Sequence, residues 1–326
     1  MICSTLTWIA RNGTVVLAVG VVLGLVLQPL AHLLRPLLPY AVVVALALTL
    51  LRTDWRPLAD HVRRAGRTGL AVAWLLLATT LGMWALTELA GAPAGLKAAL
   101  VLHAAGPPVA SAAAFALLLG LDAPLCIVSL VIALALVPLT VPTLALVLVG
   151  IEVDLALAPF MLRLALLVVA SFLVAAAARR LLGAARLVQW STPIDGLLVV
   201  TMVAFAIAIM DGVGAVLMAR PGHVALLAAV AFAANVGLQA AGAGAFLWFG
   251  RRYGLTVALM SGNRDLALFL AVLPATTNPD TLLYFALGQL PMYMLPAVMR
   301  PAYRRLLHSE PERANPDDTA VSLLSK

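Results

Sequence analysis

The chain has 326 residues, 63% of them hydrophobic and only 11% charged, and its formal net charge is +7. A soluble domain carries roughly 25% charged residues and about 45–50% apolar ones, so a water-soluble fold is excluded. A membrane-crossing helix uses about 20 apolar residues, which leaves room for about ten crossings.

The basic balance does not point to nucleic acid. The arginines lie in short loops and at helix ends, where they act as topology signals. Cys3 and Cys126 lie too far apart in the sequence to suggest a disulfide framework or a metal site, and no cofactor is expected.

The first apolar run follows Arg11 and continues to about Leu34, too long for a signal-peptide core. It is expected to remain as the first span. Further spans are expected at 37–51, 68–89, 96–120, 123–149, 155–181, 194–218, 222–249, 253–273 and 280–301, the second extending toward Arg52-Thr53-Asp54-Trp55. With the N-terminus inside, the inner segments hold sixteen of the 21 lysines and arginines, and the outer loops hold Arg35, Lys97 and Arg220. The positive-inside rule therefore predicts ten spans with both termini cytoplasmic. Residues 1–307 form the membrane domain, and the polar tail 308–326 is expected to be disordered. Ten spans divide as five plus five, about 14–149 and 155–301, an odd number per half and hence an inverted repeat.

Two spans are interrupted at equivalent places. The fourth contains Gly106-Pro107-Pro108 ahead of Ser111. Consecutive prolines lack donors and clash with the preceding turn. The ninth contains the polar stretch Ser261-Gly262-Asn263-Arg264-Asp265. Non-helical backbone survives in a membrane only where protein or a water-filled cavity satisfies it, and paired interruptions mark a midplane site. The bland alternative is a kink in one span and a loop in the other.

Arg264 and Asp265 are the sharpest residues of this site. A central arginine costs at least about 2.5–3.5 kcal/mol, so it requires a partner or a cavity. Neighbours on a regular helix diverge, so pairing between these two needs unwound backbone. The alternatives are a buried ion pair that fixes two helices and a substrate or ion site. Asn235 and Gln239, one turn apart, either line the same cavity or hydrogen-bond a neighbouring helix. His103 reads as a packing residue or a proton site, Arg163 as a snorkelling side chain, and Asp211 as interfacial. Trp8, Trp55 and Trp190 fall near expected helix ends, as interface anchors do. No Gly-x-Ser-x-Gly elbow, phosphate loop or His-Glu-x-x-His pair occurs, so no enzyme is expected.

At the two breaks the sequence resembles the bile acid:sodium symporter family. Gly106-Pro107-Pro108-Val109-Ala110-Ser111-Ala112 stands where the family has Pro-Gly-Gly-Thr-Ala/Ser-Ser-Asn, and Ser111 matches. Met260-Ser261-Gly262-Asn263-Arg264-Asp265-Leu266-Ala267-Leu268 stands where the family has Glu-x-Gly-x-Gln-Asn-x-x-Leu, and Gly262 and Leu268 match. The resemblance implies ten helices in inverted repeats, with broken, crossing fourth and ninth helices. It further implies a panel of helices 1, 2, 6 and 7 against a core of helices 3–5 and 8–10. In the family the replaced glutamate, glutamine and asparagine serve two sodium sites. A thioether at Met260 cannot stand in for a carboxylate toward a hard cation, so those sites are expected to be absent. Arsenite exporters of this fold use a cysteine in the fourth span, and none lies there.

The expected function is secondary-active transport of a small organic anion across a bacterial inner membrane, with Arg264 replacing the bound cation. A proton-coupled exporter or uncoupled facilitator that uses Asp265 is the alternative, and a non-transporting membrane sensor is the reading from another class.

Overall fold

The computed structural model describes residues 2–53, 65–150, 157–274 and 277–308. Among them every regular element is helical, apart from one isolated β-bridge. The helices are α1 (Ile2–Arg11), α2 (Gly13–Val26), α3 (Gln28–Leu34), α4 (Leu38–Arg52), α5 (Ala65–Ala73), α6 (Thr79–Leu89), α7 (Ala94–Ala105), α8 (Ala112–Leu119) and α9 (Ala123–Leu144). The second half continues with α10 (Leu157–Gln189), α11 (Ser191–Ala208), α12 (Val213–Ala219), α13 (Pro221–Phe246), α14 (Arg251–Gly262), α15 (Ala267–Val272), α16 (Pro279–Val298) and α17 (Arg300–His308). Seven helical segments are long and apolar enough to cross a membrane: Gln28–Arg52, Gly66–Leu89, Ala123–Val149, Leu157–Gly183, Ser191–Ala208, Pro221–Phe249 and Pro279–Val298. The chain is an all-α membrane protein.

The chain's start departs from the sequence expectation. The first helical segment begins at Ile2, not near residue 14, because Asn12 carries the ladder across the α1–α2 junction: its backbone N–H and Nδ2 both donate to the Trp8 carbonyl. The helix ends at Val26, one residue ahead of Gln28-Pro29, and the turn expected at Arg35 is a 3₁₀ step that leads straight into α4. That second span stops at Arg52. Asp54, Trp55 and the tail from 309 lie outside the described residues.

Small residues let α1 and α2 lie parallel on α11. Gly196 faces Leu6, Gly13 faces Val199, Gly20 faces Val203 and Gly24 faces Ile207. Between membrane helices, where burial from water supplies no force, such close approach is the main source of attraction. α4 runs back along α11, from Leu38 near Ala208 to Arg52, which donates twice to Asp195 at 2.7 and 3.0 Å. α10 packs on α4, where Arg179 Nη2 donates to the Leu51 and Thr53 carbonyls. These helices form one group. α5–α9 and α13–α16 form the other, in which α13 packs on α14 and α16, and α7 packs on α6 and α16.

Charged side chains sit on two rims. At one end are the pairs Glu88–Lys97, His223–Asp280 and Asp211 with Arg35 and His32. At the other are Arg52–Asp195, Arg67, Arg251, Arg252 and the exposed arginines of α17. Both described chain ends lie at this second, basic rim. Asp211 pairs with Arg35 at the end of its helix. Trp8 and Trp190, 61% and 49% exposed, suit interface anchors. Arg163 does not snorkel freely: its Nη1 reaches the Val272 carbonyl at 3.5 Å.

A Cβ added at Gly24 would lie 2.8 Å from the Ile207 backbone, whereas one at Gly82 meets nothing within 4 Å. Gly24→Ala is therefore expected to destabilise the protein by about 1–3 kcal/mol, the range for overpacking, and Gly82→Ala to leave it unchanged or firmer. Thermal unfolding in detergent, followed by tryptophan fluorescence, measures both.

Candidate functional site

The prolines stop the fourth segment where the sequence requires. α7 ends at Ala105, Gly106 leaves the helical region with φ −60° and ψ 153°, and helix resumes at Ala112. The second break is Asn263–Leu266, shorter than the expected 261–265 stretch and shifted toward the C-terminus. Ser261 and Gly262 remain helical as the last residues of α14. The polar character of Ser261 is absorbed within the helix, where its hydroxyl donates to the Val257 carbonyl at 2.8 Å.

The two unwound stretches satisfy each other. Val109 N donates to the Asn263 carbonyl and Asp265 N to the Pro107 carbonyl, both at 2.9 Å, and Pro108 and Arg264 form an antiparallel bridge. Each strand thus supplies the partners that neither helix nor water provides there. α7 and α14 have 12 residues each. At 1.5 Å per residue each is about 18 Å long, roughly half a bilayer's depth, and they enter from opposite rims.

Extended backbone sends successive side chains to opposite faces, and this decides the fate of the two charges. Arg264, only 1% exposed, turns into the protein. Its Nε donates to the Ser261 carbonyl (2.8 Å), Nη1 to the Gly106 carbonyl (2.9 Å) and Nη2 to Thr79 Oγ1 (3.0 Å). Two of these acceptors are carbonyls at the C-terminal ends of α14 and α7, where the helix dipole concentrates partial negative charge. Asp265 points the other way, and its Oδ1 accepts from Ala267 N at 3.1 Å, at the start of α15. Among the described residues the two do not pair.

Asp265 borders a cavity of about 40 Å³ between the two helix groups, lined also by Thr49, Phe205, Gln289 and Tyr293. Gln289 is buried, and neither atom of its amide has a hydrogen-bond partner among the described residues. Toward the rim of Arg35 and Asp211 a larger vestibule of about 390 Å³ follows. The same helices line both: Ala41 then Leu38, Phe205 then Ala208, Ala267 then Leu270, Gln289 then Ala286. One helical turn separates each pair, so vestibule and cavity are successive layers of one cleft.

Asn235 and Gln239 do not line this cavity. Asn235 Nδ2 donates to the Gly262 carbonyl at 2.8 Å, Gln239 Nε2 donates to Asn235 Oδ1 at 2.6 Å, and Tyr303 OH donates to Gln239 Oε1 at 2.6 Å. Helix–helix bonding is thus the reading the structure selects for them. Gly262 is required there, because a Cβ would overlap both Asn235 and Gln239. His103 Nε2 also reaches the Gly262 carbonyl, at 3.4 Å, and its Nδ1 lies 2.7 Å from Tyr284 OH. A carbonyl only accepts, so Nε2 carries the proton and Tyr284 donates. Ser111 precedes α8 without capping it, and its hydroxyl has no partner among the described residues. Asn263 Nδ2 folds back onto the Leu259 carbonyl. Met260 is fully buried in an apolar cluster with Cys126 and Met292.

Thr79, Trp74 and Gln289 were not singled out by sequence. Trp74 Nε1 donates to Ser261 Oγ at 3.0 Å. Gln289 carries a readable signal, an isolated amide in an apolar span, but threonine and tryptophan are too common in such helices to stand out. No family model matches the chain, and no curated protein matches it.

Arg264→Ala would orphan two carbonyls, each worth about 1–3 kcal/mol when buried without a partner, while the Thr79 hydroxyl would keep its bond to the Leu75 carbonyl. A sharp loss of folded, monodisperse protein is expected on size-exclusion chromatography. Arg264→Lys should restore part of the yield, since one ammonium cannot span three acceptors in the plane of a guanidinium.

Proposed function

We propose that the chain is a sodium-independent, proton-linked secondary transporter in which Asp265 is the titrating group. The observation that carries this is the opposite facing of Arg264 and Asp265. The full positive charge is spent on helix ends inside the protein, and the charge presented to the cleft is a carboxylate beside the unpartnered amide of Gln289.

Several features support a transporter. With the interrupted segments 2–26, 94–119 and 251–272 added to the seven continuous ones, ten spans result. Breaks at the fourth and ninth positions pair antiparallel, as an inverted repeat of the bile acid:sodium symporter type would arrange them. The α1–α4 and α10–α12 elements then form the panel, and the rest forms the core. The arginine-rich rim, with both ends of the described chain, faces the cytoplasm of a bacterial inner membrane on the positive-inside rule.

Sodium is disfavoured by Met260, whose sulfur sits in an apolar cluster, and by Arg264, which occupies the carbonyl-rich helix ends with a permanent cation. The organic-anion reading changes in consequence. An ionised Asp265 repels an anion, so an anion enters this cleft only with a proton on Asp265, as symport. A cavity of about 40 Å³ is far below the roughly 300 Å³ of an ordinary ligand site, which suits an occluded state with access from the Arg35–Asp211 vestibule.

Proteoliposomes loaded with a pH-sensitive dye and offered a panel of small organic acids and amines test the proposal. Solute-dependent proton movement is expected, with no response to a sodium gradient. Asp265→Asn should abolish proton movement while leaving solute exchange, and Gln289→Leu should weaken solute affinity about tenfold or more, as loss of a buried polar contact does. Strict dependence on sodium would overturn the reading.

A further inference from the structure

Away from the cleft, the basic rim of the core holds a second cavity, of about 300 Å³, lined by Arg67, Arg251, Arg252, Asp122, Tyr253 and Phe249 among others. Among the described residues three guanidinium groups border it against one carboxylate, and Asp122 Oδ1 accepts from Leu125 N at the start of α9. Arg251 Nη1 donates to the Leu306 carbonyl and Arg252 Nη2 to the Leu121 carbonyl, at 3.1 and 3.2 Å. Arg252 is steadied by one of the five N–H groups a guanidinium carries and keeps the others, while Arg251 ties α17 to the cavity wall. Tyr253 OH donates to the Arg67 carbonyl and closes the wall on that side.

The depth of this cavity in the membrane is set by its neighbours. Trp248 and Phe249, immediately before the cavity's Gly250, are 89% and 47% exposed. Large aromatic rings left bare at the end of a spanning helix belong at headgroup level. α17 packs on α14, the helix that follows them, with Arg300, Arg304 and Arg305 exposed and Tyr303 buried, an amphipathic basic helix of the kind that lies along an anionic membrane surface. We propose that Arg67 and Arg252, beside Arg251, form a binding site for the phosphate of an anionic phospholipid headgroup, with its acyl chains leaving past Trp248 and Phe249.

The site is wired to the break. Arg251 holds α17 through Leu306, and Tyr303 of that helix begins the hydrogen-bond chain through Gln239 and Asn235 to the Gly262 carbonyl. A lipid that fixes Arg251 and α17 therefore stiffens the crossover about 18 Å away along α14.

Native mass spectrometry of the full chain in detergent, offered phosphatidylglycerol or phosphatidylcholine, tests the site. Preferential retention of phosphatidylglycerol is expected, with inorganic phosphate failing to displace it. In the double variant Arg67→Gln/Arg252→Gln the preference should fall roughly 30-fold, at about a fivefold contribution per arginine near an anionic surface. Arg186→Gln, an exposed arginine outside the cavity, should leave it unchanged. Tyr303→Phe should keep the lipid but lose the rise in melting temperature that phosphatidylglycerol gives the unmodified protein. Equal retention of the two lipids, undiminished preference in a folded double variant, an equal loss in Arg186→Gln, or full displacement by inorganic phosphate would each overturn the proposal. Should the double variant not fold, the exposed single variant Arg67→Gln carries the same comparison.

Discussion

The guanidinium of Arg264 is the interaction on which the centre of this molecule depends. Two half-helices end near mid-depth, and their terminal carbonyls face each other across a few ångströms. In water such carbonyls would be hydrated. Inside a bilayer they have only protein to turn to, and an unmet carbonyl there costs several kcal/mol. A buried arginine is expensive for the same reason. Joined together, the two costs offset: the planar fork reaches Ser261, Gly106 and Thr79 at 2.8 to 3.0 Å, and the positive charge meets the negative ends of two helix dipoles. An ion-binding crossover would need a loaded cation to reach this balance. Here the cation is covalently part of the chain.

Much of the site's arrangement follows from that anchoring. Because Arg264 sits in an extended bridge with Pro108, the next residue must face the other way, and Asp265 is presented to the cleft between the helix groups. The bridge also fixes the Gly262 carbonyl, which draws in Asn235 and His103. Asn235 then hands its own acceptor to Gln239, and Gln239 to Tyr303. One buried charge thus organises a polar network that runs from mid-membrane to the basic rim. On the cleft side the opposite holds. Among the described residues neither atom of the Gln289 amide has a partner, a cost that a bound solute or water would relieve.

The membrane class, the helical character and the two interruptions could all be read from the sequence, because each rests on local chemistry. Sixty-three per cent apolar residues cannot be hidden from water, and Gly106-Pro107-Pro108 cannot stay helical whatever surrounds it. That Arg264 needs a partner or a cavity also followed, from the cost of a bare charge at that depth, but which groups it meets did not. The ends of elements were less legible. Asn12 carries the first helix across its junction through a side-chain bond that only a formed helix reveals. Ser261 and Gly262 are polar and flexible enough to look like a break, yet α14 retains them because Trp74 and Arg264 take up the serine's hydroxyl and carbonyl.

What the sequence by itself determined is therefore composition-driven and local: a membrane-embedded helical chain, broken in two places, with one arginine and one aspartate at the second break. Only the tertiary structure decided which way those two charges point. Their separation along the chain is a single residue, but their surroundings are set by Pro107 and Pro108, more than 150 positions earlier. Pairing with that distant stretch turns a helical neighbourhood, where adjacent side chains diverge by about 100°, into an extended one, where they oppose each other. The same long-range packing decided between the two readings of Asn235 and Gln239 and made them struts of the crossover. It also placed Gln289, a lone amide in the last long helix, beside Asp265.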